Sequence, residues 1–138
     1  MGVIYLLDTN VISERSRAQP AKEVISFLQS LPLESIYLSV LTVGELRKGA
    51  LKIERTNPAK SAELNHWIDG LESQFASRIL GIDQRIARLW GTWSAQRSRP
   101  IVDTLLAATA SVQGLVFVTR NESDVADLPV RVINPWSR

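Results

Sequence analysis

The sequence contains no cysteine and only one histidine, His66, among its 138 residues. The absence of cysteine excludes disulfides, thiol nucleophiles and cysteine-ligated zinc, and it agrees with the reducing cytoplasm that we expect as the location. A single histidine cannot form a multi-histidine metal site. Any metal or acid–base chemistry must therefore rest on carboxylates, hydroxyls and amides, whose hard oxygens favour Mg²⁺ or Mn²⁺ over zinc.

Long hydrophobic runs and a strong charge imbalance are also missing. The apolar run at residues 3–7 ends at Asp8 and follows no basic residue, so we expect neither a signal peptide nor contact with a membrane. Sixteen Lys and Arg against fourteen Asp and Glu leave a net charge of +2, a slight preference for an anionic partner such as nucleic acid. An apolar content of 45% is enough for one core, and we expect one domain over residues 1–138.

Short β-type runs alternate with helical patterns along the whole chain, which is typical of βαβ units. The predicted class is α/β, with a central parallel sheet of about five short strands flanked by helices. The predicted strands are Val3–Leu7, Ile36–Ser39, Ile79–Ile82, Val116–Thr119 and Val130–Ile133. The segment Thr56-Asn57-Pro58 separates two helical patterns, which predicts a helical hairpin.

Asp8 is the first candidate functional residue, because it follows directly on a predicted buried strand. The carboxyl ends of parallel strands are where α/β proteins place their ligand sites. The alternative is that Asp8 caps a helix beginning at Thr9 or Asn10, since aspartate is a good N-cap. The position of Asp8 after a strand favours a functional role, but this residue alone does not decide between a ligand site and a helix cap.

Glu45 and Asp103 also have a structural alternative. The segment Thr42-Val43-Gly44-Glu45 fits a capping box, in which Glu45 would reach back to the amide of Thr42. Asp103 is the only charge in the apolar helical segment Val102–Val112, where it could simply stabilise the helix N-terminus. Both nevertheless start helices at the sheet edge expected to carry Asp8.

The loop after the fourth predicted strand offers Asn121, Glu122 and Asp124 as further candidates, each of which could equally be a solvated loop residue. Carboxylates brought together raise one another's pKa unless a cation neutralises them, so a cluster implies a bound metal or a shared proton. Mg²⁺ binds through a few carboxylates and can activate water for attack on phosphorus.

Four segments resemble, in order, the motifs of PIN domains, particularly the VapC-type toxins of bacterial toxin–antitoxin pairs. The segments are Leu6–Ser13, Thr42–Leu46 followed by Gly49, Val102–Ala110 and Val118–Asn121. The ending Val132–Trp136 is similar to the FitB branch of these toxins. The resemblance covers essentially the whole chain.

The resemblance implies that Asp8, Glu45 and Asp103 are metal ligands and that a fourth acid follows the fourth strand. Some members carry Asp directly after Thr-Arg, where this chain has Asn121, and others carry an acid about three residues later, where it has Asp124. We expect Asp124 to be the fourth catalytic ligand and Asn121 to support it directly or through water. Other polar residues expected to support the site are Thr9, Asn10 and Thr119.

The same resemblance implies an endoribonuclease that depends on Mg²⁺ or Mn²⁺ and cuts structured RNA such as transfer RNA. It also implies a homodimer and a cognate DNA-binding antitoxin that blocks the active site. One alternative is a non-catalytic PIN-like module that binds nucleic acid or protein. Another is a phosphotransfer domain with Asp8 as nucleophile, although the haloacid-dehalogenase pattern requires a second Asp where this chain has Asn10.

Basic and aromatic residues are weaker candidates for RNA contacts. Arginines near the proposed site segments could bind phosphate or could be ordinary surface charges: Arg15, Arg17, Arg97, Arg99 and Arg120. The helical spacing of Trp67, Trp90 and Trp93 favours packing in the core or a dimer over stacking on bases.

Overall fold

The computed structural model describes residues 2–137, and each strand of its sheet runs parallel to its neighbours. The strands are β1 (Tyr5–Leu7), β2 (Ile36–Ser39), β3 (Ile79–Leu80), β4 (Val116–Val118) and β5 (Val132–Ile133). The α-helices are α1 (Thr9–Ser13), α2 (Lys22–Gln29), α3 (Val40–Lys52), α4 (Pro58–Gln74), α5 (Gln84–Gln96) and α6 (Ile101–Gln113). The predicted α/β class is confirmed.

The strands lie in the order β3-β2-β1-β4-β5, which places β1 at the centre. The chain leaves β1 toward β2 on one side and later returns to pair β4 on the other. Between β1 and β4 the order therefore reverses, and the carboxyl ends of two strands at such a reversal flank the crevice where open α/β sheets bind ligands.

Two apolar clusters cover the opposite faces of the sheet. Neighbouring residues of β1 alternate between them: Leu7 belongs to the cluster built with α2, α3 and α4, and Leu6 to the cluster built with α5 and α6. Both side chains are fully buried, as the two-residue period of a strand requires when each face is covered.

Several element boundaries differ from the sequence prediction. Four strands are shorter than predicted because strand pairing covers fewer residues; Val3, for example, lies before the paired register of β1 and is 45% exposed. Helix α3 begins at Val40, where the hydroxyl of Ser39 accepts a hydrogen bond from the amide of Leu41. The capping box proposed for Thr42 and Glu45 is therefore wrong, since both residues lie inside the helix.

The predicted hairpin of α3 and α4 is confirmed. The Asn57 side chain caps α4 by accepting a hydrogen bond from the Lys60 amide, and Pro58 occupies the first helical position. Arg47 joins the two helices through Asn65, Asp69 and Glu72. None of the helices within residues 2–137 combines the length and hydropathy needed to cross a membrane.

Candidate active site

The candidate site lies at the carboxyl edge of the sheet, where β1 and β4 end. Asp8 follows β1 and continues the ladder by donating its amide to the Val118 carbonyl at 2.9 Å. Thr119 follows β4 directly, so its side chain meets that of Asp8 across the crevice. The reversal of strand order thus brings together residues that are far apart in sequence.

Asp8 is 3% exposed, and its carboxylate accepts hydrogen bonds on both oxygens. Oδ1 accepts from the Thr9 amide at 2.7 Å, which makes Asp8 the N-cap of α1. Oδ2 accepts from the Thr119 hydroxyl at 2.7 Å and from the Asn10 amide group at 3.4 Å. The capping interpretation is therefore correct but incomplete, because the second oxygen also binds Thr119, which lies outside α1.

Burial raises the pKa of Asp8 from its ordinary value of 3.8 to about 6. The hydrogen bond from Thr119 opposes this rise by stabilising the charged form. The negative charges of Asp103 and Glu45 add to the rise. Asp8 therefore lies in a negative field at a desolvated position, where a cation would be strongly favoured.

Glu45 reaches the site from the second turn of α3. Its carboxylate accepts a short hydrogen bond from the hydroxyl of Thr9, and that hydroxyl also lies 3.3 Å from the fully buried hydroxyl of Thr42. Thr9 thus binds Asp8 through its amide and Glu45 through its side chain. Sequence reasoning missed the role of Thr42, because the capping box had already explained it.

Asp103 occupies the first turn of α6 and is half-buried. Its carboxylate does not cap the helix; Oδ2 accepts a hydrogen bond from the Asn121 amide group at 3.4 Å. Burial raises the pKa of Asp103, and the charges of Asp124 and Glu45 raise it further. Asp124 is thus near enough to act on Asp103 electrostatically, so it belongs to the same group of acids.

The loop after β4 separates its three candidates by their contacts. Glu122 accepts a hydrogen bond from the Asn134 amide group at 3.2 Å, which directs its carboxylate toward the C-terminal segment. The side-chain amide of Asn121 donates to Asp103, and its backbone N–H donates to the Thr119 hydroxyl at 3.0 Å. Asn121 therefore contacts Asp103 and Asp124 lies within its electrostatic range, whereas Glu122 has a different partner.

The chemistry of the donor set fits a hard divalent cation, since carboxylate, hydroxyl and amide side chains lie near one another at this edge of the sheet, without thiolate or imidazole among them. Within residues 2–137 no three acidic or histidine side chains converge tightly enough to hold an ion in the arrangement observed. Hydrogen bonds from Thr9, Thr119 and Asn121 occupy the carboxylates instead. These donors keep the acids near one another despite their mutual repulsion.

The arginine and tryptophan candidates have varied partners. Arg17 pairs with the buried Glu14, and Arg120 lies over the ring of Trp136 at 4.9 Å. Arg97 and Arg99 both bind Asp127, so the suggestion that they contact phosphate is not supported.

Tryptophan packing is as predicted, with Trp93 buried and Trp67 and Trp90 partly buried against the apolar clusters.

Comparison with known proteins gives one family and several similar proteins. The PIN domain family model matches residues 5–129. The chain is 37% identical over 139 residues to Toxin FitB of Neisseria gonorrhoeae, covering 96% of this chain and 99% of that protein. It is 32% identical to the VapC ribonuclease Y4jK of Sinorhizobium fredii, covering 96% and 98% of the two chains.

Solved structures of similar proteins have the same fold. A structure of FitAB bound to a DNA fragment matches with a TM-score of 0.87 and 34% identity, over 96% of each chain. A toxin–antitoxin complex from Klebsiella pneumoniae matches with a TM-score of 0.70 and 26% identity, over 95% of this chain and 97% of that one.

Proposed function

Because the chain belongs to the PIN-domain family, we propose that it is an endoribonuclease and the toxin of a VapBC-type toxin–antitoxin pair. It hydrolyses phosphodiester bonds of RNA. The observation that carries this proposal is that four separate segments place acids near the carboxyl edge of the sheet, close enough for Asp8 and Asp103 to lie in the negative field of their neighbours. The acids are Asp8, Glu45, Asp103 and Asp124. Sequence similarity to VapC ribonucleases supports the same activity.

Ribonucleases of this family generally depend on a divalent metal, and we propose Mg²⁺ or Mn²⁺ as the ion for this chain. The four carboxylates would hold it. When bound, the ion would supply positive charge to orient and activate a water and to stabilise the charge that develops on phosphorus.

The chain's own residues prepare the carboxylates for that ion. Thr119 and the Thr9 amide fix the two oxygens of Asp8, and Asn121 fixes one oxygen of Asp103. Because Asp8 is buried, its attraction for a cation is screened less by water than that of a surface acid. Donors of this kind orient ligands and tune their affinity for metal.

The two alternatives have less support. A phosphotransfer domain would need Asp8 as an accessible nucleophile, yet the residue is 3% exposed and its carboxylate is hydrogen-bonded on both oxygens. A non-catalytic binding module would not need clustered acids, two of which have a raised pKa. Trapping of a phosphorylated Asp8 would favour the phosphotransfer alternative over the nuclease.

An antitoxin is the proposed protein partner. An apolar groove of about 300 Å³ opens beside Thr9 and Glu45, between α3 and α4. Its apolar lining includes Leu46, Ile53, Leu64, Trp67 and Ile68. We propose that the cognate antitoxin, itself a DNA-binding protein, fills this groove and thereby excludes RNA from Glu45.

Ile53→Glu tests this placement, because it puts a charge in the apolar groove. The substitution should weaken inhibition by the antitoxin and leave RNA cleavage intact.

The proposed substrate, assembly, domain extent and location rest on the family resemblance and on the composition of the chain. We propose structured RNA such as transfer RNA as substrate, a homodimer as the working assembly, one domain over residues 1–138, and action in the cytoplasm. The exposed guanidinium of Arg120, directly after Thr119, is available for a phosphate near the acids. Light scattering of the purified chain would test the dimer, and comparison of transfer RNA with unstructured RNA would test the substrate.

Chelation tests the nuclease function directly. The purified chain should cut RNA with Mg²⁺ or Mn²⁺ and should stop when EDTA removes the ion. Return of activity on adding excess ion would show that the chelator had not damaged the protein. Undiminished cleavage in EDTA, or no cleavage of any RNA with either ion, would contradict the proposal.

A further inference from the structure

Asp127 is bound by two arginines that sequence reasoning had treated as candidates for phosphate binding. The two terminal nitrogens of Arg99 donate to its two carboxylate oxygens, each at 2.9 Å. Arg97 adds a second pair of hydrogen bonds at 3.0 and 3.3 Å. We refer to Arg97, Arg99 and Asp127 as the arginine clamp.

Arg99 anchors one side of the clamp. Its side chain is only 1% exposed, and its Nε donates to the Trp93 carbonyl at 2.8 Å while Nη2 donates to the side chain of Gln96. The guanidinium is therefore fixed to the end of α5. Pro100, the next residue, accepts hydrogen bonds from the amide and hydroxyl of Thr104, which fixes the same segment to the first turn of α6.

Asp127 anchors the other side, in the segment that carries Asp124. Val125 and Leu128 are buried in the apolar cluster shared with α5 and α6, and the Leu128 amide donates to the Val125 carbonyl. The Asp124 amide donates to the Asn121 carbonyl at 3.1 Å. The segment is thus held by apolar contacts with the cluster of α5 and α6 and, at the surface, by the clamp.

The clamp joins the two segments that carry Asp103 and Asp124. These two acids repel each other when both are charged, so the loop bearing Asp124 would relax away from α6 unless something opposed that motion. Paired, hydrogen-bonded guanidinium and carboxylate groups provide a geometrically specific tie. Holding ligands in place before the ion arrives lowers the cost of binding it.

We propose that the arginine clamp is a positioning device that keeps Asp124 beside Asp103 and thereby sets the affinity of the site for its divalent cation. This inference rests on the proposed function. Asp127 and Arg99 act through Asp124 and are positioning residues; they need not touch substrate or metal.

A double-mutant cycle tests the clamp. Asp127→Asn keeps the shape of the side chain and removes its charge, and it should weaken Mn²⁺ binding, measured by calorimetry, by about tenfold, as loss of a residue that orients a ligand does. In an Asp124→Asn background the same substitution should change Mn²⁺ affinity less than about twofold, because the clamp acts through Asp124. Equal losses in the two backgrounds, or no loss in either, would overturn the proposal.

A matched control and a metal-independent measurement complete the test. Asp69→Asn also removes an exposed carboxylate from an arginine pair, but on the hairpin of α3 and α4, and should leave Mn²⁺ affinity unchanged. In metal-free Asp127→Asn, hydrogen exchange should quicken at residues 121–128 and not in the centre of α6. Unchanged exchange there would overturn the clamp, whereas failure of the unsubstituted chain to bind Mn²⁺ would contradict the proposed function instead.

Discussion

The carboxylate of Asp8 is nearly inaccessible to water and lies in the field of two other acids, so its charge is costly in the metal-free protein. In the folded state its pKa is about 6, against 3.8 as the ordinary value. Below pH 3.8 the carboxyl is protonated in both states. As pH rises from 3.8 to about 6, the unfolded chain ionises first, so this residue lowers the free energy of unfolding over that range and remains destabilising above it.

Asp8→Asn should therefore stabilise the metal-free protein at neutral pH. The amide is neutral; its oxygen can accept from the Thr9 amide while its NH2 group donates to the Thr119 hydroxyl, so both contacts can persist. Each pKa unit corresponds to about 1.4 kcal/mol, so the gain above pH 6 should be at most about 3 kcal/mol and should vanish below about pH 4. Urea unfolding at pH 4 and pH 7.5 in EDTA would measure it; equal effects at both pH values would contradict the buried-charge explanation.

The loop after β4 allows a comparison of two neighbouring acids. Asp124→Asn should lower Mn²⁺-dependent cleavage at least about tenfold, because it removes a carboxylate from the cluster with Asp103. Glu122→Gln is the matched control and should retain activity, because that carboxylate faces Asn134. Cleavage rates at saturating RNA would decide, and a larger loss for Glu122→Gln would reverse the assignment.

At the scale of elements, the turns and helices were largely predictable and the contacts between distant segments were not. The hairpin of α3 and α4 is encoded locally by Thr56-Asn57-Pro58, and the strands by short runs of apolar residues. The start of α3 was predicted wrongly because Ser39 and Thr42 are both plausible caps, and the structure uses Ser39. The local sequence does not show which of two neighbouring residues that both favour the N-cap position will occupy it.

Asn57 provides a test of local stability at this scale. Asn57→Ala removes the cap of α4 and should lower the free energy of unfolding by about 1 kcal/mol. The Asn57 side chain contacts none of the four acids among the described residues, so Mn²⁺-dependent cleavage should not change. Asn57→Asp, which keeps an acceptor at the cap, should retain most of the stability. A loss of activity in Asn57→Ala at a temperature where it remains folded would show that the hairpin tip contributes to the site.

At the scale of the whole molecule, the site exists because the sheet order gathers segments that are distant in sequence. Asp8, Glu45 and Asp103 could be proposed from their positions after a strand or near a helix start, and the loop after the fourth strand offered three further candidates. Family resemblance guided the choice of Asp124 among those three. The arginine clamp gave no local signal, since Arg99 and Asp127 are 28 residues apart and each is an ordinary surface charge in sequence. Only the folded chain shows that they meet.

The central claim is that the gathered carboxylates perform metal-dependent cleavage of RNA. The most direct measurement is the rate at which purified Asp8→Asn cuts RNA in Mn²⁺, compared with the unsubstituted chain and with Asp69→Asn, whose carboxylate lies in the ion pair with Arg47. We predict that Asp8→Asn loses cleavage while remaining folded and that Asp69→Asn cleaves at the unsubstituted rate. Mn²⁺-dependent cleavage by Asp8→Asn at the unsubstituted rate would contradict the claim.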